Sequence, residues 1–110
     1  MNTVKDNLFD NIPTHLAEEL SQSLVNTKQL KIEKIVSLGH MTPDGQWYDQ
    51  AWDEWVLVLQ GQATLRYEDG NVLRLQTGDF INIPAHCRHR VDWTAPDIHT
   101  VWLAIHYEAN

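Results

Sequence analysis

The stretch Gly78-Asp79-Phe80-Ile81-Asn82-Ile83-Pro84-Ala85-His86-Cys87-Arg88-His89-Arg90-Val91 decides the fold. Thr77-Gly78-Asp79 is a turn, Phe80 to Ile83 is a short apolar strand, and Pro84 ends it because proline cannot donate to a ladder. From His89 to Thr94 the chain alternates, with His89, Val91 and Trp93 on one face and Arg90, Asp92 and Thr94 on the other. Strand, turn and strand in such quick succession are β grammar, and the pattern extends both ways. Upstream lie Ile32 to Leu38, Glu54 to Gln60, Ala63 to Tyr67 and Val72 to Leu75. Asp69-Gly70 marks a hairpin between the last two. Downstream, Ala95-Pro96-Asp97 breaks the chain before a final strand, Thr100 to Tyr107. Short strands at about ten-residue spacing predict an all-β sandwich or barrel. Glu54 to Gln60 is apolar on both faces, which predicts a strand covered on both sides.

The first third reads differently. Leu16, Leu20 and Leu24 recur at i, i+4 and i+8, the stripe of an amphipathic helix. Pro13 and Thr14 suit its start, and Asn26 and Thr27 suit its end. The expectation is a short N-terminal helix within an extension, residues 1–31, packed on a barrel of residues 32–110.

With 110 residues the chain has room for one ordinary domain. Its formal net charge of −7 is the wrong sign for gripping a nucleic-acid backbone or an anionic membrane, so neither is expected as a partner. The longest apolar run, Trp55 to Leu59, is far short of a membrane span. Met1 to Asp10 carries no secretory pattern, and a single cysteine, Cys87, leaves no internal disulfide. A cytoplasmic location is the expectation. The acidic excess is local: residues 38–60 hold Asp44, Asp49, Asp53 and Glu54 with no Lys or Arg. Such a segment is either a solvated loop or a set of carboxylates around a cation or polar ligand.

Two segments carry a family resemblance. Gly78, Pro84 and His89 resemble the second conserved motif of the cupins: Gly, five residues, Pro, then His five positions on. His86 stands where that motif usually has a second Gly. Glu54 to Gly61 is similar to the end of the first cupin motif, where Glu precedes Gly by seven positions. The short spacer, residues 62–77, resembles that of small single-domain bacterial cupins. The wording around Trp47-Tyr48-Asp49-Gln50 and Trp102-Leu103-Ala104-Ile105-His106 looks like a subgroup without assigned activity. The resemblance implies a cupin-type double-stranded β-helix, or jelly-roll barrel. It also implies homodimers, and a divalent metal held at the barrel mouth by two His and a Glu of the first motif and the His of the second. Here the chain departs. Counted back from Glu54, the two motif-one histidine positions fall on Trp47 and Asp49 or, with a spacing one shorter, on Tyr48 and Gln50. Neither register supplies a histidine.

Glu54 and His89 are therefore the leading catalytic and metal-ligating candidates. An interior imidazole or carboxylate needs a partner, so each is either a site residue or a satisfied core group. Asp49 and Gln50 could add oxygen ligands. His86, beside the Pro84 bend, and His106, on the strand face of Trp102 and Ala104, could complete a two-His-one-carboxylate set. Such a mixed site would suit Mn, Fe, Ni or Zn. His40 reads as a loop residue, and His15 and His99 as surface ones. Cys87 lacks the companions of a nucleophile and reads as an inert thiol. Trp47, Trp93 and Trp102 are expected to wall a ligand pocket or to fill core. The function expected is binding of a divalent metal, a small organic ligand or both, with metal-dependent oxidation or isomerisation as the possible chemistry. The alternatives are a metal-free small-molecule binder and a dimerising structural or regulatory module.

Overall fold

The computed structural model describes residues 4–108; residues 1–3 and 109–110, the outer ends of the two predicted segments, lie outside it. Eight strands follow one another: β1 Leu20–Asn26, β2 Leu30–Ser37, β3 Asp53–Gln60, β4 Gln62–Tyr67, β5 Val72–Gln76, β6 Phe80–Ile83, β7 His89–Thr94 and β8 Thr100–Tyr107. They form two antiparallel sheets, β1-β2-β8-β3-β6 and β5-β4-β7. This is the predicted all-β jelly roll, in which the chain passes between two facing sheets. Among the described residues no helix is long and apolar enough to cross a membrane.

The N-terminal helix is not there. Leu20 to Asn26 is an edge strand, paired antiparallel with β2 from Leu20↔Val36 to Asn26↔Lys31. The leucine stripe misled because a tertiary partner overrides a weak local preference: β2 offers an unpaired edge, and backbone pairing there outweighs a few favourable side-chain spacings.

The core lies between the sheets. Val56, Val58, Trp102 and Ala104 from the larger sheet meet Ala63, Leu65 and Leu75 from the smaller, with Ile83 beside them. On β3 burial alternates: Glu54, Val56 and Val58 face inward and are buried, while Trp55, Leu57 and Leu59 on the outer face are half-buried. β3 is thus less completely covered than its all-apolar sequence predicts. At its end Gly61 turns the chain into β4 with φ of 98°. A Cβ there would lie 2.6 Å from Thr100 Cα, so only glycine fits.

Two irregularities aim side chains. In β7, Val91 pairs with Leu65 but Trp93 pairs with Thr64, so Asp92 is an extra residue, a β-bulge. The bulge reverses the alternation beyond it: Thr94 turns inward and is buried, and Trp93 turns outward at 41% exposure. Asp92 is held there by Arg66 at 2.6 Å and Arg90 at 2.8 Å. The free edge of β7 is covered by the loop before β3. Thr42 N–H donates to the Val91 carbonyl and Thr42 Oγ1 accepts from Val91 N–H, while Tyr48 and His89 exchange backbone N–H···O bonds. Buried Arg90 donates to the carbonyls of Thr42 and Pro43 and so fastens the loop that carries Tyr48 and Gln50.

Candidate functional site

A cavity of about 270 Å³ opens between the sheets at one end of the barrel. The ladder register explains who faces it. Glu54 pairs with His106, and Ala104 pairs with both Val56 and Glu33, so Glu54, His106 and Glu33 share the inner face of the large sheet. Ser21 enters from β1 beside Ile35. His89 and Val91 enter from the small sheet, with Tyr48 and Gln50 from the covering loop and Trp102 from the core side.

Glu54, 9% exposed, is the centre. Its Oε1 lies 3.3 Å from His89 Nε2, and its Oε2 lies 3.6 Å from His106 Nε2. His106 Nε2 is also 3.7 Å from Glu33 Oε1, and Ser21 Oγ donates to Glu33 Oε2 at 3.0 Å. Acid and imidazole side chains thus alternate across four strands. On the far side His89 Nδ1 donates to the Cys87 carbonyl at 2.8 Å. That fixes the ring and leaves Nε2 aimed at Glu54. Burial alone would lower the His89 pKa, but the Glu54 carboxylate and the Cys87 carbonyl outweigh it and raise it above the usual histidine value. When His89 is protonated, each ring nitrogen has an acceptor to match, Cys87 O for Nδ1 and Glu54 Oε1 for Nε2. The Tyr48 ring tilts against the His89 ring with centroids 5.6 Å apart. Burial and the nearby Glu19 and Glu54 charges raise the Tyr48 phenol above its normal value despite a Thr42 hydrogen bond, so it stays protonated.

The structure brings Glu54, His89, Gln50, His106 and Trp102 together and parts the rest. His86 is turned out to solvent, where its Nδ1 meets Asp49 Oδ1 at 2.9 Å, with side chains 70% and 47% exposed. Its backbone φ is 61°, the left-handed region, which explains why the related motif has glycine at this position. Asp49 is spent on that surface pair. Trp93 lies outside because of the Asp92 bulge, and Trp47 is half-buried but is not part of the cavity wall. The expectation that Trp93 and Trp47 wall a pocket, and that His86 and Asp49 join Glu54, does not match these positions. The sequence reading missed Glu33, Glu19 and Ser21. The inner face of β2 reads Lys31, Glu33, Ile35, Ser37 and the outer face Ile32, Lys34, Val36, so both faces are mixed and alternation alone does not show which is inward.

Tyr48 and Gln50, not Trp47 and Asp49, point to the cavity beside Glu54. They occupy the places where the resemblance puts two metal-binding histidines. A neutral phenol is a poor ligand and an amide carbonyl a weak one, and Glu54 has an imidazole against each oxygen. Among the described residues no three His, Cys, Asp or Glu side chains are grouped so as to hold a metal ion. The donor set does not fit the expected divalent metal.

Residues 37–106 match the cupin domain family, and the chain belongs to it. Among solved structures it is similar to a Ralstonia eutropha protein provisionally named a mannose-6-phosphate isomerase. The two are 44% identical, with a TM-score of 0.93 over 97% of this chain and all of that one. A cupin superfamily protein of Desulfitobacterium hafniense matches at 20% identity and TM-score 0.74, covering 89% of this chain and 84% of that one. A Streptococcus pyogenes protein of unknown function matches at 19% identity and TM-score 0.77, over 100% and 91%. At those identities the last two support the fold alone. No curated protein matches.

Proposed function

We propose that this cupin binds a small organic molecule in the cavity between its sheets and moves a proton on it through the Glu54–His89 pair. The observation that carries the reading is the buried Glu54 carboxylate set against the Nε2 of His89, at the head of a cavity with a mostly carbon wall. Isomerisation by proton transfer needs a base and an acid within reach of one carbon, and these side chains supply both. Glu54 takes the proton, and His89, as imidazolium, returns one. Val56, Leu65, Ile83 and Trp102 keep bulk water from the reacting carbon. The name of the Ralstonia relative also suggests an isomerase, though no Lys or Arg lines this cavity to take a phosphate dianion. A divalent metal, Mn, Fe, Ni or Zn, is the lesser reading, for the donor-set reason above.

The test is a thermal-shift screen of small carbonyl, polyol and amine compounds, followed by NMR of hits in D2O. A ligand that stabilises the protein and exchanges a carbon-bound proton for deuterium is expected. Both effects should be lost in Glu54→Gln and His89→Asn. Hits that ignore both substitutions would sink the proposal.

One observation favours an additional role in self-association. On the outer face of the large sheet Phe80 is 65% exposed and its ring lies 5.4 Å from that of Trp55, beside half-buried Leu57, Leu103 and Ile105. A homodimer through this face would cover them. Light scattering giving a clean monomer at high concentration would refute it.

A further inference from the structure

The balance of donors and acceptors around the cavity narrows the ligand. Glu19, Glu33 and Glu54 line it, and neither Lys nor Arg does. The donors present are mostly committed. His89 gives Nδ1 to the Cys87 carbonyl and faces Glu54 with Nε2, His106 Nε2 stands between Glu33 and Glu54, and Ser21 is given to Glu33. The Trp102 indole N–H is directed to Ser37 Oγ at 3.3 Å, so what Trp102 offers the cavity is carbon surface. Ser37 in turn donates to Glu19 Oε2 at 2.8 Å. Even with His89 as imidazolium the three glutamates leave excess negative charge. The Tyr48 hydroxyl and the Gln50 amide are the remaining donors, so acceptors and negative charge still predominate, and positive charge is favoured over neutrality in a partly enclosed site of low dielectric.

We infer that the ligand is a small organic cation, its charge drawn by the Glu19, Glu33 and Glu54 carboxylates that line the cavity and its carbon frame against Trp102 and Val56. This rests on the cavity being the ligand site, as proposed above. A volume of about 270 Å³ sets the size, at the small end of ligand pockets.

The experiment compares matched pairs of equal shape by calorimetry: choline against 3,3-dimethylbutan-1-ol, and 1,4-diaminobutane against butane-1,4-diol, with inorganic phosphate and a hexose phosphate as anionic probes. The cation of a pair should bind at least about tenfold more tightly than its neutral partner. The preference should shrink at 0.5 M salt and in Glu33→Gln and Glu19→Gln, each of which should weaken the cation more than its neutral partner. Melting curves on both variants establish that they are folded. Tighter binding of the neutral member or of either anion overturns the inference. If a neutral compound binds and is lost in Glu54→Gln, the ligand site stands and its cation preference falls. If no compound of any class binds, both fall.

Discussion

His89 Nε2 lies 3.3 Å from Glu54 Oε1, across the gap between two sheets whose strands β3 and β7 are not hydrogen-bonded to each other. This polar contact fastens the two layers at the end where the hydrophobic core gives way to the cavity. Its strength depends on the charge of His89.

That dependence fixes a pH prediction. The His89 pKa is raised in the fold above the ordinary histidine value of 6.5. A raised pKa means the folded state holds the proton more tightly than the unfolded one. The added stability is therefore complete below about pH 6.5 and is lost as pH rises through the higher folded value. Urea melts across pH 5.5 to 9 should show stability falling in that window. In Glu54→Gln the fall should flatten, and the His89 imidazole resonances should titrate at lower pH than in the parent. An unchanged titration would show that Glu54 does not hold the proton on His89.

Two of the positive-φ residues in the motifs, Gly61 and His86, should respond in opposite ways. Gly61→Ala places a methyl group against the Thr100 backbone and forces alanine to φ of 98°. Strain alone costs about 1–3 kcal/mol, and the clash adds to it. His86→Gly removes a side chain from φ of 61° at the loss of an exposed pair with Asp49. Relief of roughly 1–2 kcal/mol is set against a surface pair worth about 0–1. Melting temperatures should therefore drop sharply for the first and stay level or rise for the second.

The tryptophans are separable by the same measurement. Trp102→Ala opens a hole in the core and should cost about 3–5 kcal/mol. Trp93→Ala, at a position 41% exposed on the far side of the bulge, should cost under about 1 kcal/mol and leave ligand binding unchanged. Equal costs would mean that Trp93 faces inward after all.

This last pair shows where sequence reading reached and where it stopped. The β strands from Glu54 to Tyr107 were legible because turn residues and alternation are local. The Glu54 and His89 candidates followed from motif spacing, and His106 from sharing a face with Trp102 and Ala104. Trp93 faces outward because one inserted residue, Asp92, inverts every later side chain in β7, and nothing local announces a bulge whose extra residue is held by Arg66 on another strand. The leucine spacing of β1 predicts a helix because its partner edge lies on β2, outside the local sequence. Glu33 was passed over because its meaning comes from His106, many residues away along the chain.

The departure from the family's metal site can be tested by restoring it. Tyr48 and Gln50 face the cavity beside Glu54 and His89, so they stand where two imidazoles would complete a four-ligand set. The parent protein should show no stoichiometric metal after purification without added metal, and no thermal shift with Mn, Fe, Ni or Zn. The double variant Tyr48→His, Gln50→His gains two nitrogen donors within a preformed frame, held by the Tyr48–His89 backbone pair and the Gln50 carbonyl bond from His86 N–H. It should bind one divalent ion per chain and melt several degrees higher with metal than without, since a ligand that binds only the folded state stabilises it by mass action. Metal uptake by the parent would return Glu54, His89 and His106 to candidacy as ligands. Failure of the double variant would mean that the loop holds positions 48 and 50 in a geometry unsuited to coordination, and that the barrel mouth has diverged in its backbone as well as its side chains.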